Sequence, residues 1–402
     1  MASNKKHFIF FRRLNSDADW GGTEVVLMNW FSKIDYLNCR ATLIVPKGST
    51  NKFLPRLETL NLPVNVVEYD FPKGGTKDWE KFKSMRRFFC SLKPSTIIFV
   101  QGWYIDFGTM EILAGASCTW GRVFLHENVG PDIPPDKTSK KHFGMIPGLA
   151  LWWHKKILQV SAKAYYCKKI LFVSRNIREK FVTLWKYPSF KSIVMYHGTE
   201  TEKFAPSKEI RAAMRRQNGF NDTDIIIIAT ARLAKFKCLD RLIDAFDGAY
   251  HDFKNIHLLL IGTGPLEQEL KKLASAKTSK DRIRFLGHVN NVPDFLKMSD
   301  IYVLSSDNEG LSLALMESMA SRLICISTLC PGSDEIIKDG INGYLVEKNM
   351  KGVYLGLMKA LRLSPQEREA MTQKGRQTVL DQFDAHKNVQ KAFKLFGVPF
   401  KK

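Results

Sequence analysis

Two carboxylates eight residues apart, Glu309 and Glu317, punctuate the segment Ser305-Ser306-Asp307-Asn308-Glu309-Gly310-Leu311-Ser312-Leu313-Ala314-Leu315-Met316-Glu317. The apolar run before it reads as a strand and the run after it as a helix. In an open parallel sheet, ligands bind outside the carboxyl ends of the strands. Glu309 is therefore expected at the mouth of a cleft, and Glu317 about two turns into the helix. Carboxylates accept hydrogen bonds from vicinal hydroxyls. A pair at this separation could hold the two ends of an extended ligand such as a nucleotide-sugar, one carboxylate on the sugar and the other on the ribose. The plainer alternative is an acid at a helix N-terminus followed by a solvated glutamate.

Placing those residues requires strands and crossover helices in alternation, and the chain supplies them. Short β-branched and aromatic runs fall at 8–11, 41–46, 64–69, 96–100, 122–126, 169–173 and 192–196. A second set falls at 224–229, 256–261, 283–286, 301–304, 324–327 and 343–346. Segments of helical period separate them, which is the pattern of parallel sheets. The expected class is α/β with two facing Rossmann-like domains. The boundary falls near the Pro206 and Asn218-Gly219 breakers. The organisation read from this is one domain over 1–205, a second over 206–384, and a C-terminal segment over 385–402.

The segment with the two glutamates resembles the E-x7-E signature of family 4 of the retaining glycosyltransferases, which have the GT-B fold. Ala229-Thr230-Ala231-Arg232-Leu233-Ala234-Lys235-Phe236-Lys237-Cys238 resembles the same family's G-R-L-x-x-x-K-G motif. By that resemblance Arg232 and Lys237 take the phosphate-binding positions, and two cations at a strand-to-helix turn suit a leaving diphosphate. Ala231 and Cys238 stand where the family usually has glycine. The resemblance also implies donor contacts at Gly310 and Leu311, an acceptor-binding role for the N-terminal domain over 1–205, a nucleotide-sugar-binding role for the C-terminal domain over 206–384, and a C-terminal helix over 385–402 that returns to the first domain. Leu260-Ile261-Gly262-Thr263-Gly264-Pro265, Pro331-Gly332-Ser333-Asp334-Glu335 and Asp339-Gly340-Ile341-Asn342-Gly343 follow in the family's order, so it covers about 232–346 well.

Across the N-terminal half the likeness is sparser. Gly21-Gly22-Thr23-Glu24 resembles the family's G-G-x-E turn, in which backbone N–H groups approach phosphate or acceptor. This implies donor contact at Gly22 and acceptor contact at Gly21. His126, ending a strand, matches the histidine that the family places beside the donor sugar; a histidine satisfied in the core is the alternative. His197-Gly198 stands where the family more often has Asn-Gly.

Asp17-Ala18-Asp19 and Asp222-Thr223-Asp224 have the D-x-D form of a metal site, but they lie in turn-rich stretches where short acidic pairs arise readily, and no metal is expected. Seven widely spaced cysteines without a CxxC pair lead to the expectation of a reducing compartment. The N-terminus lacks the apolar core of a secretory signal, and no run approaches spanning length. The expectation is a cytoplasmic protein, peripheral on the cytosolic face of a membrane.

The 402 residues carry a formal charge of +21, which favours an anionic partner. Residues 137–191 hold 13 Lys or Arg against one acid, Glu179. If 146–164 is helical, Ile146, Leu149, Trp153, Ile157 and Val160 form one stripe. Trp152, Lys155 and Lys156 lie beside it, as in an interfacial helix on anionic lipid. The ordinary alternative is a core-facing helix with a solvated basic side. A nucleic-acid binder is a competing reading of the charge, but no recognition motif accompanies it.

The sequence therefore leads to a retaining, metal-independent hexosyltransferase. It would use a UDP- or GDP-linked sugar as substrate, no cofactor, and a saccharide or glycolipid acceptor at a membrane. A transferase with a soluble acceptor, such as a sucrose synthase-like enzyme, is the alternative within the class.

Overall fold

The computed structural model describes residues 5–12, 22–48, 53–70, 78–101, 109–127 and 164–401. The chain divides into two compact units, one of residues 1–196 with 388–402 and the other of residues 197–387.

The first unit carries β1 (Lys6–Phe11), α1 (Gly22–Ser32), β2 (Cys39–Pro46), α2 (Phe53–Thr59), β3 (Val64–Tyr69), α3 (Asp78–Ser91), β4 (Thr96–Gln101), α4 (Thr109–Thr119), β5 (Val123–Glu127), β6 (Lys169–Phe172), α5 (Arg175–Thr183) and β7 (Ser192–Val194). Its seven strands lie in the order β3-β2-β1-β4-β5-β6-β7 and every pairing is parallel. A parallel sheet is covered on both faces, so its strands must be apolar throughout rather than alternating. Phe8-Ile9-Phe10-Phe11 and Ile97-Ile98-Phe99-Val100 meet that demand, each at most 1% exposed.

The second unit carries α6 (Lys208–Gln217), β8 (Ile225–Thr230), α7 (Leu239–Tyr250), β9 (Ile256–Ile261), α8 (Glu267–Ser275), β10 (Ile283–Gly287), α9 (Val292–Met298), β11 (Ile301–Leu304), α10 (Leu313–Ala320), β12 (Ile324–Thr328), α11 (Ser333–Ile336), β13 (Tyr344–Val346), α12 (Met350–Leu361) and α13 (Pro365–Gln382). Its order is β10-β9-β8-β11-β12-β13, again wholly parallel. Both sheets reverse their strand order at one point, between β1 and β4 and between β8 and β11. Crossovers leave that point in opposite directions and open a crevice at the carboxyl ends of the two strands.

The last helix, α14 (Ala385–Phe396), ends in the first unit's core. Val389, Ala392, Phe393, Phe396 and Val398 are buried there with Phe8, Phe10, Trp30 and Phe124.

Cys90 of α3 and Cys118 of α4 form a disulfide, with their Cα atoms 5.3 Å apart. Their spacing of 28 residues gives no sign of the pairing, which arises because α3 packs along α4. The reading of widely spaced cysteines without a CxxC pair did not anticipate this bond. The other five cysteines are free and buried. No described helix is long and apolar enough to cross a membrane.

Candidate functional site

The switch point of the second sheet gathers the chemistry. β8 runs out at Thr230, and the chain turns through Lys235–Lys237 into α7. β11 ends at Leu304, and the loop that follows reaches α10, whose first turn is capped by Ser312 Oγ accepting from the Leu315 N–H. The helix therefore starts two residues later than the apolar run suggests, because the serine side chain takes over an N–H that would otherwise lack a partner.

Turn and loop are joined by several bonds. Lys237 Nζ donates to Glu309 Oε1 at 2.5 Å, with the two side chains only 17% and 13% exposed. Ser306 Oγ donates to the same oxygen at 2.7 Å, and Ser305 Oγ to the Lys237 carbonyl at 2.8 Å. Arg241 pairs with Asp307 at 2.7 Å, and the Asp307 N–H donates to the Phe236 carbonyl at 2.9 Å. Arg241 and Asp307 carry no role in the sequence reading; the available signal was that Asp307 lies inside the segment with the two glutamates and Arg241 three residues after Cys238. Arg241 and the Cys238 thiol, by donating to its carboxylate, hold the Asp307 pKa below the usual range against burial, the largest influence, which raises it.

Cys238, standing where the resembled family has glycine, adopts the left-handed backbone at φ 47° that glycine would adopt freely. Its side chain is buried, and the thiol donates to Asp307 Oδ2 at 3.1 Å. Arg232 is exposed at the start of the same turn. Two glycines in the neighbouring loops serve close approach of backbone. A Cβ on Gly262 would lie 1.9 Å from the Ala231 carbonyl oxygen, and one on Gly332 would lie 2.3 Å from that of Gly310. Gly332 thereby seats the loop before α11 against Gly310, while the imidazole of His197 meets the Leu311 carbonyl at 3.1 Å. Burial lowers the His197 pKa to about 4, so the ring is neutral at physiological pH and donates that bond through Nε2.

Glu317 sits on α10, half-buried. Burial raises its pKa to about 7; Lys203 pulls it down and Glu200 pushes it up by less. Beneath the loop, the fully buried Tyr302 phenol has its pKa raised chiefly by burial, and further by both Glu309 and Glu317. Both carboxylates are thus close enough to influence one buried hydroxyl.

In the first unit His126 is the penultimate residue of β5 and 1% exposed, with its ring edge-on to Trp30 at 5.0 Å. Glu127 beside it is fully buried and accepts from Gln101 Nε2 at 3.1 Å and Tyr187 Oη at 3.4 Å. Arg12 pairs with Glu24 of the Gly-Gly-x-Glu turn at 2.9 Å, both buried. These two acids were not assigned from sequence. Gly22 begins α1. Gly21, Trp152, Trp153, Lys155 and Lys156, with the whole of 146–163 and the Asp17–Asp19 pair, lie outside the described residues. Asp224 of the other acidic pair closes a local turn by accepting from the Asn221 N–H at 2.7 Å.

Two doubly wound parallel sheets, with a cation-bearing turn facing an acid-bearing loop at the second switch point, define the fold of the GT-B glycosyltransferases. Residues 210–378, within the second unit, match the family model for glycosyl transferases group 1. The chain is 29% identical over 184 residues to the putative glycosyltransferase EpsD of Bacillus subtilis, covering 46% of this chain and 48% of that one. It is 27% identical over 188 residues to the alpha-monoglucosyldiacylglycerol synthase of Acholeplasma laidlawii, covering 46% and 47%. The match thus spans about half the length of these curated relatives. The Anabaena HepE protein, solved in complex with UDP, superposes with a TM-score of 0.75 over 97% of this chain and 99% of that one, at 15% identity, which speaks to the fold alone.

Proposed function

We propose that the protein is a retaining, metal-independent hexosyltransferase of family 4 type, which moves a sugar from a nucleotide-sugar to a membrane-associated saccharide or glycolipid acceptor. The observation that carries this reading is the joined turn and loop at the β8/β11 switch point. Lys237 and Arg232 stand where a diphosphate gains charge as the glycosidic bond breaks, and Glu309 stands one loop away to receive sugar hydroxyls. Glu317, further along α10, takes the ribose, and the backbone of Gly310 and Leu311 borders the donor. His126 serves the sugar from the first unit and the Gly21-Gly22 turn serves donor and acceptor.

A membrane acceptor draws support from the relative that acts as a monoglucosyldiacylglycerol synthase. The basic, tryptophan-containing stretch around Trp152, Trp153, Lys155 and Lys156 supports it too. The location that fits is the cytosolic face of a membrane, with anionic lipid as partner and nucleic acid not involved.

A thermal-shift screen against nucleotides and nucleotide-sugars tests the donor, since a ligand bound only by the folded chain raises the melting temperature. Arg232→Ala is expected to weaken nucleoside diphosphate binding by about 1–2 kcal/mol, one charge-assisted bond at an exposed site. Unchanged affinity measured by calorimetry counts against its role. Retention is checked by the anomeric configuration of the product.

A further inference from the structure

Lys237 does not meet a ligand as a bare cation, because its ammonium already rests on Glu309 Oε1 at 2.5 Å in a largely buried pair. The same oxygen takes the Ser306 hydroxyl, and no described bond reaches Oε2. The turn and loop that carry the pair are held together independently of it by the Arg241–Asp307 pair, by the bond from Ser305 Oγ to the Lys237 carbonyl, and by that from the Asp307 N–H to the Phe236 carbonyl. Thr328 Oγ1 fixes the loop from below by donating to the Ser306 carbonyl at 2.5 Å. The pair is therefore held in place by its surroundings, and either charge can be removed without releasing the loops.

We infer that Glu309, through its ion pair with Lys237, sets the preference of the site for an intact nucleotide-sugar over the free nucleoside diphosphate. The inference rests on the donor-site reading given above. A diphosphate approaching Lys237 meets a neutralised pair and a nearby carboxylate of its own sign, and both oppose it in a partly buried site where charges are weakly screened. An intact donor meets the same opposition but also brings hydroxyls that donate to Oε2, so Glu309 returns hydrogen bonds to the donor that it cannot return to the product. The carboxylate would thereby loosen the diphosphate once the sugar has left.

The sign of the consequence is unusual for a residue in a binding site: removing the charge of Glu309 should strengthen product binding. Calorimetry on the full chain with UDP, GDP and UDP-glucose as probes tests this, using wild type, Glu309→Gln, Glu309→Ala, Lys237→Met and the Glu309→Gln/Lys237→Met double variant. The expected result is that Glu309→Gln binds the preferred diphosphate about two- to fivefold tighter, the upper part of the range for a single charge contact that water still reaches. Glu309→Ala should follow in the same direction. The ratio of UDP-glucose to UDP affinity should fall in both, and further in the alanine variant, which keeps no hydrogen-bonding group. In the Lys237→Met background the substitution at 309 should raise diphosphate affinity less than it does in the wild type, because only the like-charge repulsion is left to relieve and there is no longer a cation to release.

Asp307→Asn controls for general charge, since Asp307 belongs to the other pair and should alter diphosphate binding much less. Equal or weaker diphosphate binding by both Glu309 variants, with Lys237→Met still impaired, overturns the inference and leaves the donor site standing. An equal gain in Asp307→Asn also overturns it, by reducing the effect to net charge. If Lys237→Met binds diphosphate as the wild type does, or if the wild type binds neither UDP nor GDP, the donor-site reading itself fails.

Discussion

Glu317 shows at the scale of one residue how much sequence spacing tells and where it stops. Its place eight residues after Glu309 was legible, and so was its helix, because the motif is local. Its protonation was not, because that depends first on burial and then on Lys203 and Glu200, all of which act on it only through the fold. The folded state holds the Glu317 proton up to about pH 7, whereas the unfolded chain releases it near the ordinary 4.5. Between those values the native state binds more protons, so this residue's contribution to stability falls as pH rises through the window and stays lost above it. Its part exposure reduces the effect to on the order of 1–2 kcal/mol. His197 works in the opposite sense at lower pH, its depressed pKa making stability rise with pH from about 4 toward its ordinary value. Denaturation curves between pH 5 and 8 should therefore show Glu317→Gln gaining on the wild type as pH rises; parallel curves would mean that the carboxyl is charged throughout.

At the scale of elements, the strands were the most legible feature, and for a physical reason. A strand buried on both faces must be a continuous apolar run, and runs such as Ile225–Thr230 and Ile256–Ile261 cannot easily be read otherwise. Helix boundaries were less so: α10 starts at Leu313 rather than Leu311 because Ser312 caps it, and the short α2 over Phe53–Thr59 was not expected at all. The links between elements were hidden. Cys90 with Cys118, and Arg12 with Glu24, are set by packing that leaves no local signature. The turn at Cys238 is an intermediate case, since the motif marks a glycine position and the structure explains why. With φ at 47°, any side chain there is strained, and the cysteine is kept by its burial and its bond to Asp307. Cys238→Gly and Cys238→Ala both lose the thiol, but only glycine relieves the backbone. The glycine variant should be the more stable of the two by about 1 kcal/mol. Alanine matching or exceeding glycine in urea denaturation would show that the turn can leave the left-handed region.

For the whole molecule, the chain's course makes the stability of the first unit depend on residues that follow the second. Phe393 and Phe396 are buried against Trp30, with ring centroids 6.3 and 5.5 Å away, and Trp30 in turn meets His126. Phe396 also packs on Phe124 at 5.0 Å. These rings close the core over β1 and β5, and little else among the described residues of that cluster could replace them. Phe393→Ala or Phe396→Ala should each remove about 3–5 kcal/mol from the first unit, the usual cost of emptying a large aromatic site. Neither ring belongs to the second unit, whose own core over β8, β9 and β11 is complete within residues 227–371. Calorimetric unfolding of either variant should therefore lower the transition of the first unit and spare that of the second. Nucleoside diphosphate binding, assigned to the turn at Lys237, should survive at temperatures where the first unit has melted. A single transition that moves as a whole would show that the two units unfold as one, and the contribution of α14 could then no longer be assigned to the first unit alone.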